Sequence, residues 1–229
     1  MKRQPNINKI LLVEGEDDKR VIPELIEKTG KIAWETGNTT IVGIRVLGSK
    51  SDLLKEEEIQ TALKGSGLQA LGILIDADED ANACWQSIRH QLEQTYPNLP
   101  MELPSTGLIA QAPEQPKFGV WVMPDNTNRG MLETFLLHLR PTSPLLELSA
   151  KVLKMAQENG APFKEAHTDK AQIHTWLAWQ DPPGRQMHNA IQEKMLTENS
   201  QLLTDFLGWF YELYDLIPSC VNQSRILTD

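Results

Sequence analysis

Two short apolar runs that end abruptly in acidic residues constrain the fold of this chain more than any other feature. The first spans residues 9–13 and is followed by Glu14, and the second spans 70–75 and is followed by Asp76. An unbroken apolar run of this length is typical of a strand that is buried on both faces of a parallel sheet. The carboxyl ends of such strands meet at the sheet edge where open α/β folds bind ligands. We therefore expect these acidic residues to converge at that edge.

Strand and helix patterns alternate through the first ninety residues. A strand over 40–47 is predicted between the two runs. One helix is expected to become regular only near Arg20, because Pro23 lacks a backbone donor and favours a first turn. Another is expected to run from a Ser51 cap to about Lys64. This βαβ series predicts a parallel sheet covered by helices.

The second half of the chain changes character from Tyr96 onward. Two short strand patterns around 108–110 and 118–123 predict an added β-hairpin at a sheet edge, where proline is tolerated. Helical patterns follow at 143–158, 168–179, 186–196 and 199–216. We therefore predict an α/β domain over 1–140 and a helical C-terminal extension over 141–229 packed on it. The apolar face of the last helix is wide, so this helix packs either onto the sheet or against a second subunit in a homodimer.

Charge and cysteine content limit the classes of partner. The chain has 22 Lys and Arg against 31 Asp and Glu, a net charge of −9. This balance argues against nucleic-acid binding through overall charge, although it leaves open a local basic groove or a bound cation. Cys84 and Cys220 match no zinc-binding spacing, which favours a reduced, cytoplasmic protein. No apolar run approaches the roughly 18 residues of a membrane span and no signal peptide opens the chain, so no membrane partner is expected.

The two acidic junctions together resemble the signature of the Toprim domain, which occurs in topoisomerases, bacterial primases, recombination mediators and OLD-type nucleases. The chain reads Val-Glu-Gly-Glu-Asp-Asp over 13–18 and Asp-Ala-Asp over 76–78, with a predicted strand and two helices between them. The form Glu-Gly-x-x-Asp is most similar to the OLD-nuclease and small Toprim branch. The resemblance implies an α/β, Toprim-like parallel sheet flanked by helices.

Three further segments resemble a bacterial family of Toprim-related proteins with no assigned activity. They read Met-Pro-Asp-Asn from 123, Gly-Met-Leu-Glu from 130, and Lys-Ala-x-x-His-Thr-Trp-Leu-Ala-Trp-Gln from 170. This second resemblance spans nearly the whole chain, but it implies no specific reaction.

The Toprim resemblance implies roles for several acidic residues. Glu14 would act as a general acid or base, and Asp76 and Asp78 would bind Mg²⁺ or Mn²⁺. Asp18, one helical turn past Glu14, would be an added ligand, as in the OLD-like branch. The chemistry agrees with elementary principles, because carboxylate oxygens suit these cations and two such ions can stabilise both the attacking and the leaving oxygen.

The residues themselves suggest additional candidates around this site. Glu133 begins a predicted helix and is expected to reach a second metal ion. Asp80 is either a further metal ligand or the N-cap of the helix that follows it. Gly15 is expected to let the backbone turn sharply beside the site. Three basic residues are either phosphate-binding groups or ordinary surface charges: Lys50, Arg129 and Lys170.

The absence of two motifs argues against a topoisomerase and against an ATPase within this chain. The three tyrosines include no recognisable topoisomerase nucleophile, and no Gly-x-x-x-x-Gly-Lys-Ser/Thr loop is present, so an ATPase would have to be a separate partner protein. We therefore predict a Mg²⁺- or Mn²⁺-dependent phosphoryl-transfer enzyme, a nuclease or phosphodiesterase acting on nucleic acid. The alternative is a non-catalytic Toprim-like module that binds nucleic acid or a protein.

Overall fold

The computed structural model describes residues 7–37, 39–140, 143–197 and 199–216. Cys220 lies outside these residues. The chain forms a central sheet with helices on both faces, together with a small separate ribbon. The strands are β1 (Lys9–Val13), β2 (Glu35–Thr36), β3 (Thr39–Thr40), β4 (Gly43–Val46), β5 (Ala70–Asp76), β6 (Leu108–Ala110) and β7 (Lys117–Met123).

The central sheet has the strand order β4-β1-β5-β7-β6. Strands β4, β1, β5 and β7 are parallel to one another, and β6 pairs antiparallel with β7 at the edge of the sheet. Strands β2 and β3 pair only with each other. The predictions of a mostly parallel sheet flanked by helices and of an added edge hairpin are confirmed.

The described helices divide between the two faces of the sheet. They are α1 (Glu16–Gly30), α2 (Lys50–Leu53), α3 (Glu56–Leu63), α4 (Ala81–Leu92), α5 (Leu132–His138), α6 (Pro144–Glu158), α7 (Thr168–Ala178), α8 (Met187–Gln192) and α9 (Gln201–Leu213), with a 3₁₀ turn at Glu165–His167. Apolar residues of α1 and α5–α9 pack on one face, and those of α2–α4 pack on the other.

The alternation of side chains along each buried strand explains why both faces are apolar. Leu11 and Val13 of β1 belong to the cluster under α1 and α9, whereas Leu12 belongs to the cluster under α3 and α4. Successive residues of a strand point to opposite faces, so a strand covered on both sides must be apolar at every position.

Helix α9 packs onto the sheet. The Trp209 indole N–H donates to the Leu108 carbonyl oxygen at 2.9 Å, and the Tyr214 hydroxyl donates to the Ile10 carbonyl oxygen at 2.9 Å. These bonds satisfy polar atoms of buried aromatic side chains and fix α9 across β1 and β6. Of the two alternatives left by the sequence, the structure shows packing on the sheet.

Three predicted element boundaries are wrong. Helix α1 begins at Glu16 and carries Pro23 inside it, because the burial of Val21, Ile22, Leu25 and Ile26 against the sheet outweighs one missing backbone donor.

The helix predicted from Ser51 to Lys64 is two helices, and Ser49 rather than Ser51 caps the first by accepting from the Asp52 N–H at 3.1 Å. The strand predicted over 40–47 is shorter, since Thr40 pairs with Glu35 in the ribbon.

The predicted domain boundary at 140 falls beside residues 141–142, which lie outside the described residues. Side chains from both sides of that boundary share one buried cluster, including Leu25 of α1, Phe135 of α5 and Phe206 of α9. The division into two domains stays a prediction. Across the described ranges, the helices are too short or too polar to cross a membrane.

Gly119 of β7 allows α9 to approach the sheet closely. A Cβ atom at this position would lie 2.7 and 2.9 Å from the two Leu213 methyl carbons and 3.1 Å from the Trp209 indole nitrogen. We expect Gly119→Ala to lower the free energy of unfolding by about 1–3 kcal/mol, because the buried helix must shift. Urea unfolding monitored by tryptophan fluorescence measures this change.

Gly208→Ala in α9 is the matched control. A Cβ atom there has no neighbour within 4 Å, so the variant adds only helix propensity, and we expect a gain of up to about 1 kcal/mol. Equal effects of the two substitutions would contradict the close-packing explanation.

Candidate acidic site

The junction between β1 and α1 supplies the first two carboxylates of the site. Glu14 follows β1, Gly15 is the N-cap of α1, and Asp18 is the third residue of that helix. The Gly15 N–H donates to Asp18 Oδ2 at 2.9 Å, which closes the first helical turn and holds Asp18 against the protein with 9% exposure. Gly15 has a φ of −130°, which is extended backbone open to any residue, so the expected need for glycine's conformational freedom is wrong.

Strand β5 supplies the third carboxylate and ties it to the first. The backbone N–H of Asp76 donates to Glu14 Oε1 at 2.8 Å, so the ends of the neighbouring strands β1 and β5 are joined through the site. The Asp76 side chain accepts at Oδ1 from the Leu132 N–H at 2.9 Å, which connects it to the start of α5.

Helix α5 supplies the fourth carboxylate. Glu133 lies in its first turn and is only 3% exposed. Its Oε1 atom is 2.9 Å from the ammonium group of Lys170 on α7. The C-terminal helices therefore contribute a positive charge directly to this acidic group.

Burial raises the pKa values of three of these four carboxyl groups, and repulsion by neighbouring carboxylates adds to the increase. Burial, reinforced by repulsion from Glu14 and Glu133, raises the pKa of Asp18 to about 7. Burial also raises the pKa of Asp76 well above its usual value, and the charges of Asp18, Glu14 and Glu133 add to the increase. The pKa of Glu14 is raised mainly by burial, against the effect of its hydrogen bond from Asp76. These directions indicate that burial and mutual repulsion disfavour the ionised form of the cluster.

Asp78 lies beside this cluster, and its carboxylate forms an ion pair with Lys50. Its Oδ2 atom is 3.0 Å from Lys50 Nζ, and its side chain is 48% exposed. The negative charge of Asp78 contributes to the raised pKa of Glu14 but is absent from the main causes for Asp76. The structure thus brings Asp76 together with Glu14, Asp18 and Glu133, and turns Asp78 toward Lys50.

Asp80 acts as a helix cap. Its Oδ1 atom accepts from the Ala83 N–H at 2.9 Å at the start of α4, which is one of the two roles expected for it. Metal binding by Asp80 stays a prediction.

Each of the three expected phosphate-binding residues has an acidic neighbour. Lys50 is paired with Asp78 and also donates to the Ala77 carbonyl oxygen at 2.8 Å, while Lys170 is paired with Glu133. Arg129 is 71% exposed and lies 3.9 Å from Glu79, which is a weak surface contact. Phosphate binding by these residues stays a prediction.

The donor set suits a hard divalent cation in its chemistry. Asp18, Asp76 and Glu133 each use one oxygen to accept from the protein, and within the described residues their second oxygen accepts no hydrogen bond. Glu14 accepts from the Asp76 N–H, and the backbone N–H of Lys50 also acts on its carboxylate and lowers its pKa. Oxygen-only ligands of this kind suit Mg²⁺ and Mn²⁺. As they stand, no three His, Cys, Asp or Glu side chains of the described part are spaced to enclose a metal ion, so at least one carboxylate must turn inward for binding.

Reasoning from the sequence missed two residues whose hydrogen bonds support this region, Asn126 and Thr134. Asn126 is 3% exposed, accepts from the Val122 N–H at 2.8 Å and donates to the Ser105 carbonyl oxygen at 3.0 Å. Thr134 donates to Asp169 Oδ2 at 2.6 Å and so links α5 to α7. The loop signal around Asn126 was visible, but its partners are distant in the chain, and no pattern identified them.

The raised pKa of Asp18 predicts that the metal-free protein loses stability as pH rises. The folded protein keeps a proton that the unfolded chain releases near pH 4, so the free energy of unfolding falls until about pH 7. We expect the stability advantage of Asp18→Asn over the wild type to grow by about 2–3 kcal/mol between pH 5 and pH 8. Urea unfolding in EDTA at both pH values measures the difference.

Asp17→Asn is the matched control, because Asp17 is an exposed neighbour in the same helical turn. Asp17 is the last of the causes that raise the pKa of Asp18, so this variant should change stability far less between the two pH values than Asp18→Asn does. Equal changes for the two variants would contradict the assignment.

Comparison with known proteins places the chain in a family. No curated protein matches it in sequence. The C-terminal region of the Xanthomonas campestris pv. campestris OLD protein, phased with mercury, is similar at 13% identity with a TM-score of 0.47, covering 92% of this chain and 97% of that one. The same region phased with platinum gives 13% identity, a TM-score of 0.45, and coverage of 91% and 93%. Residues 8–215 match the family described as protein of unknown function (DUF3226), and the chain belongs to that family.

Proposed function

We propose that this protein is a Mg²⁺- or Mn²⁺-dependent phosphoryl-transfer enzyme that cleaves phosphodiester bonds in nucleic acid. One observation carries the proposal: Glu14, Asp18, Asp76 and Glu133 are gathered at the carboxyl edge of the sheet, where burial and then mutual repulsion raise the pKa values of Asp18 and Asp76. Buried carboxylates that repel one another destabilise a fold unless protons or a cation neutralise them. A site that keeps four of them therefore has a use for a cation.

Three residues are the proposed ligands of that cation. Asp18 and Asp76 each have one oxygen fixed by a backbone N–H, and the ammonium of Lys170 fixes one oxygen of Glu133. The remaining oxygens supply the ligands, and hydrogen bonds to the bound ones orient the carboxylates. A divalent ion held there would polarise a phosphoryl oxygen and favour ionisation of a water molecule.

Glu14 is the proposed proton carrier. Its Oε1 atom accepts from the Asp76 N–H, which fixes the orientation of the carboxylate beside the proposed ligands. Its pKa is raised mainly by burial, which moves it toward the neutral range in which general acids and bases are most effective.

Lys170 is the proposed contact to a substrate phosphate. Its side chain is 49% exposed although its ammonium group touches the buried Glu133, so it can contact a phosphate while remaining beside the carboxylates. With a net charge of −9, the protein depends on such local positive groups and on the bound cation to attract nucleic acid. Arg129 and Lys50 are secondary candidates, and both a homodimer and a partner ATPase stay predictions.

Asp76→Asn tests the cation site. Asn keeps an oxygen that can accept from the Leu132 N–H and removes the negative charge, so the fold should be retained. We expect the affinity for Mn²⁺ to fall at least tenfold, or about 1.4 kcal/mol, in a calorimetric titration, and metal-dependent cleavage of single- and double-stranded nucleic acid to be lost.

Asp17 has an exposed carboxylate in the first turn of α1, so Asp17→Asn should bind Mn²⁺ like the wild type. Unchanged Mn²⁺ affinity in Asp76→Asn would rule out the assigned site.

The second candidate function is a non-catalytic module that binds nucleic acid or a protein. It is favoured by the lack of any three suitable side chains, among the described residues, already spaced around a metal ion. Failure of the wild type to bind Mn²⁺ at millimolar concentration would replace the enzymatic proposal with this one.

A further inference from the structure

Lys50 occupies a position between two oxygen atoms at the end of β5. Its ammonium group donates to the Ala77 carbonyl oxygen at 2.8 Å and to Asp78 Oδ2 at 3.0 Å. The side chain is only 26% exposed, and its stem lines a cavity of about 250 Å³ together with Leu54 and Cys84. A flexible lysine held by two oxygens in a half-buried position is more constrained than an ordinary surface lysine.

The surroundings of this ammonium group resemble those of a small hard cation. A carboxylate oxygen and a backbone carbonyl oxygen are the kinds of ligand that bind Mg²⁺ and Mn²⁺, and such ions commonly use only one or two carboxylates and keep several waters. Lys50 and Asp78 both act electrostatically on Glu14. The ammonium group therefore brings positive charge to the edge of the acidic cluster.

The backbone fixes Asp78 in this arrangement. Asp78 has a φ of +53°, and it exchanges two hydrogen bonds with Gly130, at 2.8 Å from its N–H and 2.9 Å to its carbonyl oxygen. Gly130 in turn has a φ of +141°, and a Cβ atom there would lie 2.7–3.0 Å from atoms of the Thr134 side chain. The backbone of Asp78 is thus fixed by Gly130, and its side chain is paired with Lys50.

We propose that Lys50 is a positioning residue that holds the Asp78 carboxylate in an ion pair and takes the place of a second divalent ion. The inference rests on the function proposed above and specifies it further. The site would use one divalent ion, bound by Asp18, Asp76 and Glu133, with the Lys50 ammonium as a permanent second positive charge. Mutation of Lys50 should then create a cation site at Asp78 that the wild type lacks.

Counting bound Mn²⁺ ions tests this inference with a readout that a purely structural role would not change. In calorimetric titrations of the full chain, with electron paramagnetic resonance to count bound ions, the wild type should bind one Mn²⁺. Lys50→Met and Lys50→Gln should each bind two, since Asp78 and the Ala77 carbonyl oxygen become available. Lys50→Gln keeps a hydrogen-bond donor without the charge, so agreement between the two variants assigns the effect to charge.

Two controls locate the additional ion. The double variant Lys50→Met/Asp78→Asn should bind one Mn²⁺ again, because the new site loses its carboxylate. Lys55→Met removes a nearby lysine that is also ion-paired, at 2.5 Å from Asp52, and should leave the count at one.

The outcomes separate this inference from the proposed function. Two ions in the wild type, or one ion in both Lys50→Met and Lys50→Gln, would overturn the role of Lys50. In either case the proposed function stands if Asp76→Asn still binds Mn²⁺ at least tenfold more weakly than the wild type. A wild type that binds no Mn²⁺ would overturn the proposed function and this inference together.

Discussion

Burial of several carboxylates at one edge of the sheet is the constraint on which the rest of this structure depends. Asp18 and Glu133 are 9% and 3% exposed, and each lies within electrostatic reach of other acids. Such burial opposes folding, so the protein must offset it. The backbone N–H groups of Gly15, Asp76 and Leu132 and the ammonium group of Lys170 do so only in part, since the pKa values of Asp18 and Asp76 remain raised.

The remainder of the chain provides the rigidity that such a site needs. Two apolar clusters, one on each face of the sheet, fix the strand ends from which Glu14 and Asp76 project. The C-terminal helices also act directly on the site, because Lys170 of α7 reaches Glu133 and Asp169 of α7 reaches Thr134. The helices that follow the sheet in the chain are therefore part of the acidic site as well as part of the core.

Sequence patterns were sufficient where a local rule decides the outcome. The apolar runs before Glu14 and Asp76 predicted buried parallel strands, since only a strand covered on both faces is apolar at every position. They failed where packing overrides local preference, as for Pro23, which is accommodated inside α1 by its buried neighbours. The break between α2 and α3 was also missed, because apolar residues on both sides of it, Leu54 and Ile59, were assigned to one helix.

The sequence by itself determined that acidic residues follow two buried strands of a parallel sheet, since strand direction and residue order place them at its carboxyl edge. The structure added that these two strands, β1 and β5, are neighbours. Only the tertiary structure decided which of them meet. Asp76 and Asp78 are two residues apart and look equivalent in the sequence. Asp78 has a left-handed backbone bonded to Gly130 and pairs its carboxylate with Lys50, whereas the Asp76 carboxylate accepts from the Leu132 N–H. Glu133 and Lys170 join the site from distant positions because α5 and α7 pack together there, a contact that depends on the whole core.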